Sequence, residues 1–231
     1  MKLYVANKNY SSWSLRPWIL MKQAGIAFEE QVVFYKASLQ GRHFAGLSPT
    51  GQLPLLVDGD VQVWDSQAIT EYLAETFDHI WPQDRIRRAW ARSAAAEMHS
   101  GFTALRSVYG MNCGLRVALR APHAAADADW RRIEAIIGEG IDRFGGPFLA
   151  GDTFTAVDAF YCPIAFRVQT YGVTLSNPVA SRYLTALLAL PAMQHWHAAA
   201  LDERSRHDEY DAEALKFGDI TADLRAPVEA H

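Results

Sequence analysis

The chain has 231 residues, of which 50% are hydrophobic and 21% charged, and its formal net charge at pH 7 is -4. That composition is ordinary for a globular protein of one large or two small domains. The chain lacks the excess of basic residues that nucleic-acid binding requires. Two cysteines, Cys113 and Cys162, occur without a C-x-x-C motif, which counts against a dithiol redox enzyme. No stretch is apolar enough to span a membrane and no leader pattern is visible, so we expect a soluble, cytoplasmic protein with neither nucleic acid nor membrane among its partners.

The first 77 residues alternate between strand and helix patterns. Residues 2–6 predict a strand, a helix begins near Ser14 and ends at Gly25, and residues 29–35 predict a second strand. Residues 36–47 are ambiguous between a loop and a short helix. Residues 53–57 and 61–64 predict two strands joined by a turn, and a helix begins near Ser66. The predicted order is therefore β-α-β-(α)-β-β-α.

Residues 78–84 break this pattern and predict a linker. Beyond them no stretch predicts a strand, whereas residues 85–108, 128–144 and 157–168 and the segment that begins at Pro191 have helical spacing. The end of the chain is polar and weakly patterned, which indicates a tail on the surface. We predict an α/β domain at residues 1–78 followed by an all-helical domain at residues 85–231.

Hydroxyl groups crowd the point where the first predicted strand turns into the first helix, in the segment NYSSWSLRPW at residues 9–18. Backbone N–H groups at the start of a helix have no partner within the helix, and the positive end of the helix dipole lies there too. Such a point favours an anion. A thiolate is one such anion, so Ser11, Ser12 and Ser14 are candidate residues for binding one.

Two further motifs suit the binding of a peptide-like ligand. In TGQLPLL at residues 50–56, Pro54 marks either a plain loop exit or a cis Leu53–Pro54 bond that turns the Leu53 backbone toward an extended ligand. Asp65 and Ser66 precede a helix, and one of them is expected to be its N-cap. A hydroxyl at a helix N-terminus also suits a carboxylate, and an adjacent aspartate suits an ammonium group, so the pair can hold an amino-acid head group.

These motifs, followed by GDTFTAVD at residues 151–158, occur in the order typical of glutathione transferases. The chain resembles a serine-type member of that family over roughly residues 1–204, and its Ser-Ser-x-Ser-x-Arg pattern resembles the zeta-like members. Trp13 departs from that pattern, because those members carry cysteine there. In the last motif Thr155 and Asp158 predict a capping box, which is a structural role. The resemblance implies a thioredoxin-like N-terminal domain, an all-helical C-terminal domain, glutathione as co-substrate without a metal, and a homodimer.

The resemblance also implies roles for individual residues. Ser11 would donate a hydrogen bond to the glutathione sulfur, with Ser12 and Ser14 as rivals. Gln52 would bind the glycyl carboxylate of glutathione. Leu53 with Pro54 would hold the cysteinyl unit, and Asp65 with Ser66 would hold the γ-glutamyl end. Arg42 or His43 would add charge near the glycyl carboxylate.

The electrophile pocket is expected between the first turn of the first helix and the first long helix of the second domain. Its candidate residues are Trp13, His99, Arg106, Tyr109 and Asn112. Trp13 either roofs this pocket or packs beneath the first helix, and packing is favoured because buried aromatic residues are commonest in cores. His99 is either an acid–base group or a core or interface histidine, and the second is favoured. His195 and His197 are two apart on a helix, so they point in different directions and do not predict a metal site.

Three functions are compatible with this pattern. The favoured one is conjugation of glutathione to small apolar electrophiles, as in detoxification. The second is a glutathione-dependent cis–trans isomerase of the maleylacetoacetate isomerase type, which would need cationic groups in the electrophile pocket, such as Arg106 or Arg116. The third is a non-catalytic glutathione-binding scaffold, which has no physical need for the complete set of predicted site residues.

Overall fold

A four-stranded mixed sheet forms the N-terminal part of the protein. The computed structural model describes residues 1–35 and 43–227. The strands β1 (Lys2–Val5), β2 (Glu29–Val32), β3 (Leu55–Asp58) and β4 (Val61–Trp64) lie in the order β2-β1-β3-β4. β1 is parallel to β2 and antiparallel to β3, and β3 is antiparallel to β4. With α1 (Ser12–Gln23) after β1 and α2 (Ser66–Ala74) after β4, this is the predicted thioredoxin-like arrangement.

The strands and helices predicted in this part are present, and some of them begin or end a few residues from the predicted positions. β2 ends at Val32 rather than at residue 35. The Val33 N–H still donates to Val5 O of β1 at 2.8 Å, whereas the Tyr35 N–H donates to the side chain of Asn7, at Oδ1, at 2.8 Å. The Leu53–Pro54 bond is cis, as one of the two interpretations predicted. The ambiguous segment at residues 36–47 falls mostly on residues 36–42, including Arg42, which lie outside the described residues; residues 43–47 form turns around an isolated bridge.

The C-terminal part is mainly helical. Its helices are α3 (Arg85–Ser100), α4 (Thr103–Val108), α5 (Ala124–Phe144), α6 (Ala156–Tyr171), α7 (Pro178–Ala189), α8 (Pro191–Asp202) and α9 (Asp208–Phe217). The predicted helix at residues 85–108 breaks after Ser100, where Phe102 adopts a left-handed backbone with φ of 59°. The Arg106 guanidinium donates to the carbonyl oxygens of Met98 and Gly101, which lie at this break.

Two strands in this part contradict the prediction that no strand follows the linker. β5 (Leu115–Leu119) pairs antiparallel with β6 (Gly218–Asp223), with a bulge between Arg116 and Val117. The weakly patterned end of the chain, predicted as a tail on the surface, forms α9 and β6 over most of its length. Arg120 fixes the pairing, since its Nη2 donates to Gly218 O at 2.9 Å and to Asp219 Oδ1 at 2.8 Å.

One apolar core joins the two parts. α1 packs on β1 and α2 and also against α6 and α8. α6 is buried on nearly all sides, as expected of a helix that is apolar around its circumference. Its N-terminus has the predicted capping box between Thr155 and Asp158. Within the described part of the chain, no helix combines the length and the apolar character needed to cross a membrane.

A buried carboxylate, Glu203, fastens the end of α8 to the segment after β1. It is 8% exposed and accepts hydrogen bonds from the backbone N–H groups of Lys8 at 2.5 Å and Asn9 at 3.1 Å. Burial raises the pKa of Glu203 from 4.5 to about 7, although both hydrogen bonds and the Lys8 charge lower it. The folded protein therefore holds this proton more tightly than the unfolded chain does.

We predict that this site makes stability fall as pH rises. Because the pKa of Glu203 is higher in the folded protein than in the unfolded chain, proton binding at Glu203 stabilises the fold fully below pH 4.5. This stabilisation is lost as pH rises through about 7, which lowers the free energy of unfolding by roughly 3 kcal/mol. Urea denaturation at pH 5 and pH 8 should show the free energy of unfolding of wild type falling relative to Glu203→Gln. The matched change at an exposed carboxylate, Glu75→Gln, should not alter this dependence. A constant difference between wild type and Glu203→Gln would contradict the pKa assignment.

Candidate active site

A cavity of about 530 Å³ lies beside the N-termini of α1 and α2. Its walls include all five residues predicted to bind glutathione from the motif at residues 50–56 and from the start of α2: Gln52, Leu53, Pro54, Asp65 and Ser66. These residues come from the loop before β3 and from the junction of β4 and α2. Neighbouring strand ends place both segments at one side of the sheet.

The N-terminus of α2 presents a carboxylate and a hydroxyl. Asp65 is the N-cap, and its Oδ1 accepts from the N–H groups of Gln67 at 2.7 Å and Ala68 at 3.3 Å. Its φ of 77° is rare for a residue with a side chain, a form of strain that often accompanies functional sites. Ser66 is buried, and its Oγ accepts from Arg16 Nη1 at 3.4 Å. The N-cap prediction for Asp65 or Ser66 is thus confirmed at Asp65.

The second carboxylate oxygen of Asp65 faces His99, which belongs to α3. Asp65 Oδ2 lies 3.4 Å from His99 Nε2. Burial lowers the pKa of His99, and the charges of Arg16 and Arg106 lower it further, whereas Asp65 raises it. The net effect keeps the imidazole neutral at pH 7, so the negative charge of Asp65 has no full counter-charge from His99. As favoured in the sequence analysis, His99 lies at an interface between helices.

Three serines surround the start of α1. Ser11 is its N-cap, with Oγ accepting from the Ser14 N–H at 3.3 Å and lying 2.8 Å from Ser14 Oγ. Ser14 is fully buried and accepts from the Ala6 N–H at 3.1 Å, which ties α1 to β1. Ser12 is 6% exposed, and its hydroxyl bonds to none of the described residues. None of the three is among the described residues that line the cavity.

Trp13 lies on the cavity wall and is 36% exposed. The prediction that it packs beneath the first helix is therefore wrong. The guanidinium carbons of Arg16 and Arg106 lie 4.2 Å and 5.0 Å from the centroid of its ring. Arg16 is 1% exposed, and burial, with Arg106 next in effect, lowers its pKa. This end of the cavity combines an aromatic surface with positive charge behind it.

Aromatic residues that the sequence did not single out form much of the remaining wall. They are Tyr35, Phe44, Trp64 and Tyr210. The Tyr35 ring centroid lies 5.2 Å from that of Tyr210 and 5.3 Å from that of Phe44. His43, a weak candidate, also lines the cavity. The position of Tyr35 just after β2, at the strand end nearest Ser11, is a signal that could have identified it, but no local signal points to Tyr210.

A polar cluster holds the C-terminal segment in place. Asp211 accepts from Tyr10 Oη at 3.2 Å, from Asn112 Nδ2 at 3.2 Å and from Arg225 Nη1 at 2.8 Å. The backbone N–H of His207 donates to Tyr10 Oη at 3.3 Å. These contacts fix α9, and with it Tyr210, against the N-terminal part.

Several predicted residues lie elsewhere. Asn112 contacts Asp211, and Tyr109 lines a separate cavity of about 360 Å³ with Trp130 and Tyr171. Arg116 donates to the carbonyl oxygens of Cys113 and Leu115. Neither Arg106 nor His99 is among the described residues lining the first cavity, although both contact Trp13. The structure therefore does not bring Tyr109 and Asn112 to this cavity.

The two histidines of α8 have different partners. His195 stacks on Trp18, with ring centroids 5.8 Å apart, whereas His197 Nε2 lies 3.2 Å from Cys113 O. Across residues 1–35 and 43–227, no three histidine, cysteine or acidic residues are grouped so that they could hold a metal ion.

The chain is similar to known glutathione transferases in sequence and in fold. The sequence model for "Glutathione S-transferase, N-terminal domain" matches residues 10–76. The glutathione S-transferase-like protein OpS6 of Beauveria bassiana is 24% identical over 213 residues, 84% of this chain and 93% of its own. The maleylacetoacetate isomerase of Rattus norvegicus is 27% identical over 189 residues, 80% of each chain.

The fold agrees with these matches. A crystal structure of a Burkholderia glutathione transferase homolog with bound glutathione superposes with a TM-score of 0.65 at 24% identity, covering 86% of this chain and 97% of that one. The family match covers the segment that carries Trp13, the residues before β3 and the N-terminus of α2, all of which meet at the cavity. Residues 10–76 thus match a glutathione S-transferase N-terminal domain, and the chain as a whole has the fold of this solved glutathione transferase homolog.

Proposed function

We propose that the protein is a glutathione transferase that binds glutathione in the cavity of about 530 Å³ and activates its thiol for attack on a small hydrophobic electrophile. One observation carries this proposal: the predicted glutathione-binding residues come from separate segments and line a single cavity beside two helix N-termini. Helix N-termini favour anions, and glutathione carries two carboxylates and, when activated, a thiolate.

The residues present fit the ends of glutathione. Asp65 uses one oxygen to cap α2, while the other faces a neutral histidine, so its charge is available to an ammonium group. Ser66 and the N-terminus of α2 suit the carboxylate of the same γ-glutamyl end. Gln52 would bind the glycyl carboxylate, and Leu53 with Pro54 would hold the cysteinyl unit.

Ser11 and the N-terminus of α1 would stabilise the thiolate. A thiol has an ordinary pKa of about 8.5, and a hydrogen-bond donor together with a helix dipole lowers it. The sulfur lone pair would then form a carbon–sulfur bond with the electrophile, the leaving group would depart with its bonding electrons, and the thiol proton would pass to solvent. The aromatic walls, including Trp13, Tyr35 and Tyr210, suit an apolar electrophile.

A second candidate function is the cis–trans isomerisation of a diketo acid such as maleylacetoacetate. Arg16 and Arg106 supply positive charge behind Trp13, which favours an anionic substrate, and a relative at 27% identity is named maleylacetoacetate isomerase. Trp13 counts against it, since zeta-like members carry cysteine at that position. Conjugation is favoured because the guanidinium groups of Arg16 and Arg106 both donate to the carbonyl oxygen of Met98 and are therefore already engaged within the protein.

Turnover assays distinguish these functions. With glutathione, the purified protein should conjugate 1-chloro-2,4-dinitrobenzene and release chloride. Turnover of maleylacetoacetate without conjugation would select the isomerase. Binding of glutathione without either activity would select the non-catalytic scaffold.

The proposal extends to assembly and organisation. The family resemblance implies a cytoplasmic homodimer, with a glutathione-binding domain at residues 1–78 and a second domain at residues 85–231 that contributes to the electrophile site. Sedimentation of the purified protein tests the dimer.

The role of Asp65 can be separated from its capping role. Asp65→Asn keeps an N-cap acceptor but removes the charge, so glutathione should bind roughly 10–100-fold more weakly while stability changes little. Asp65→Ala should weaken binding similarly and also lower stability by about 1 kcal/mol. Calorimetry and urea denaturation measure the two effects. Binding by Asp65→Asn with the wild-type Kd would contradict an ammonium contact.

A further inference from the structure

Tyr35 connects the N-terminus of α1 with the C-terminal segment. Its backbone N–H is fixed by Asn7 Oδ1 at 2.8 Å, and its ring packs against Phe44 and against Tyr210 of α9. Tyr35 and Tyr210 both line the cavity. The thiol of a ligand in this cavity would therefore approach Ser11 past the two tyrosines.

Asn7 holds Tyr35 and Ser11 side by side. Its carbonyl oxygen accepts from the Ser11 N–H at 2.9 Å, and its Oδ1 accepts from the Tyr35 N–H at 2.8 Å. The Tyr35 hydroxyl is close enough to those of Ser11 and Tyr210 for both to shift its pKa. Ser11 is 3% exposed and is absent from the described cavity lining, whereas Tyr35 is part of that lining. A sulfur atom close enough to bond to Ser11 is therefore also close to the Tyr35 hydroxyl.

Packing alone does not explain a tyrosine at this position. A phenylalanine would fill the same space in the aromatic cluster, whereas a buried hydroxyl needs partners. Burial raises the pKa of Tyr35, Tyr210 raises it further and Ser11 lowers it, so the hydroxyl stays protonated where a thiol titrates. It therefore remains a donor at those pH values. Its titratable and charged neighbours are Tyr210, His43, His207 and Glu203.

We propose that Tyr35 is a second hydrogen-bond donor to the glutathione sulfur, beside Ser11, and that Tyr210 positions the Tyr35 hydroxyl. This rests on the proposed function and adds two residues to it. Tyr35 is then a catalytic residue, because it touches the reacting atom, and Tyr210 acts only through Tyr35. The C-terminal segment thereby takes part in thiol activation.

The test removes one hydroxyl at a time. In Tyr35→Phe, glutathione should bind within about threefold of the wild-type Kd, because the ring and the end-group contacts remain. The pKa of the bound thiol, read from thiolate absorbance near 240 nm, should rise by about one pH unit, and turnover at pH 7 should fall roughly tenfold. Turnover should recover as pH rises. Tyr210→Phe should shift the thiol pKa in the same direction by less.

A matched control lies on α2, away from the cavity lining. Tyr72 donates to Asp58 Oδ2 at 3.0 Å, and Tyr72→Phe should leave the thiol pKa unchanged. If wild type lowers the thiol pKa and Tyr35→Phe does not raise it, the inference about Tyr35 is overturned while the proposed function stands. If Tyr35→Phe raises it but Tyr210→Phe has no effect, the positioning role of Tyr210 is overturned. If wild type does not bind glutathione, both the inference and the proposed function fail.

Discussion

Ser11→Ala should lower the turnover of glutathione with a chloronitroaromatic about a hundredfold at pH 7. Loss of the hydroxyl donor is expected to raise the pKa of the bound thiol by about two pH units, equivalent to ~2.7 kcal/mol. The deficit should shrink as pH rises toward the ordinary thiol pKa, because a larger share of the thiol is then ionised. The pH profile of kcat measures this directly. Loss of the N-cap should also lower stability by about 1 kcal/mol.

Two variants control this experiment. Ser12→Ala removes the neighbouring hydroxyl, which bonds to no described residue, and should have a smaller effect. Ser93→Ala removes an exposed hydroxyl that donates to Ala89 O on α3 and should have none. A larger loss in Ser12→Ala than in Ser11→Ala would move the thiol contact to Ser12. A wild-type pH profile in Ser11→Ala would contradict its assigned role.

Asp158→Ala should lower the free energy of unfolding by about 3–5 kcal/mol. The carboxylate of Asp158 is fully buried, and its removal would leave several hydrogen-bond donors without partners. Asp158 accepts from the N–H groups of Leu149 and Thr155, each at 2.9 Å, and from Tyr183 Oη at 2.9 Å. These contacts join the start of α6 to the preceding loop and to α7. Urea denaturation measures the loss.

The effect of Asp158 should be on stability rather than on chemistry. At a temperature where the variant remains folded, its kcat should be close to that of wild type. Asp152→Ala, at an exposed position six residues earlier, should change stability by less than about 0.5 kcal/mol. A loss below about 1 kcal/mol in Asp158→Ala would show that the capping box is dispensable.

Features that depend on nearby residues could be predicted from the sequence. The capping box at Thr155 and Asp158 involves residues three apart, and the N-cap at Asp65 depends on the helix that starts next to it. The cis Leu53–Pro54 bond was one of the two interpretations that the sequence left open. The order of strands and helices in the N-terminal part follows from local periodicity in the same way.

Features that depend on distant residues were missed. Leu115 and Val117 are buried with the alternation of a strand, but β5 has its partner in β6 at the far end of the chain, in a segment whose sequence is polar. The position of Tyr210 on the cavity wall also depends on distant residues, because the neighbouring Asp211 is held by Arg225. Pairing over such a separation leaves no local signal that identifies the partner segment.

The exposure of Trp13 could not be predicted from helical spacing. The residues three, four and seven positions later on the same face, Arg16, Pro17 and Leu20, are all buried. Trp13 is 36% exposed because it lies on the wall of the cavity, which distant segments complete.

The central claim is that the cavity binds glutathione and ionises its thiol. The most direct measurement is calorimetric titration of wild type with glutathione at several pH values, with thiolate absorbance near 240 nm recorded on the same samples. We predict saturable binding and a bound-thiol pKa well below the ordinary value of about 8.5. Binding with an unshifted thiol pKa would contradict the activation mechanism. Absence of binding at every pH would contradict the proposed function and its site residues together.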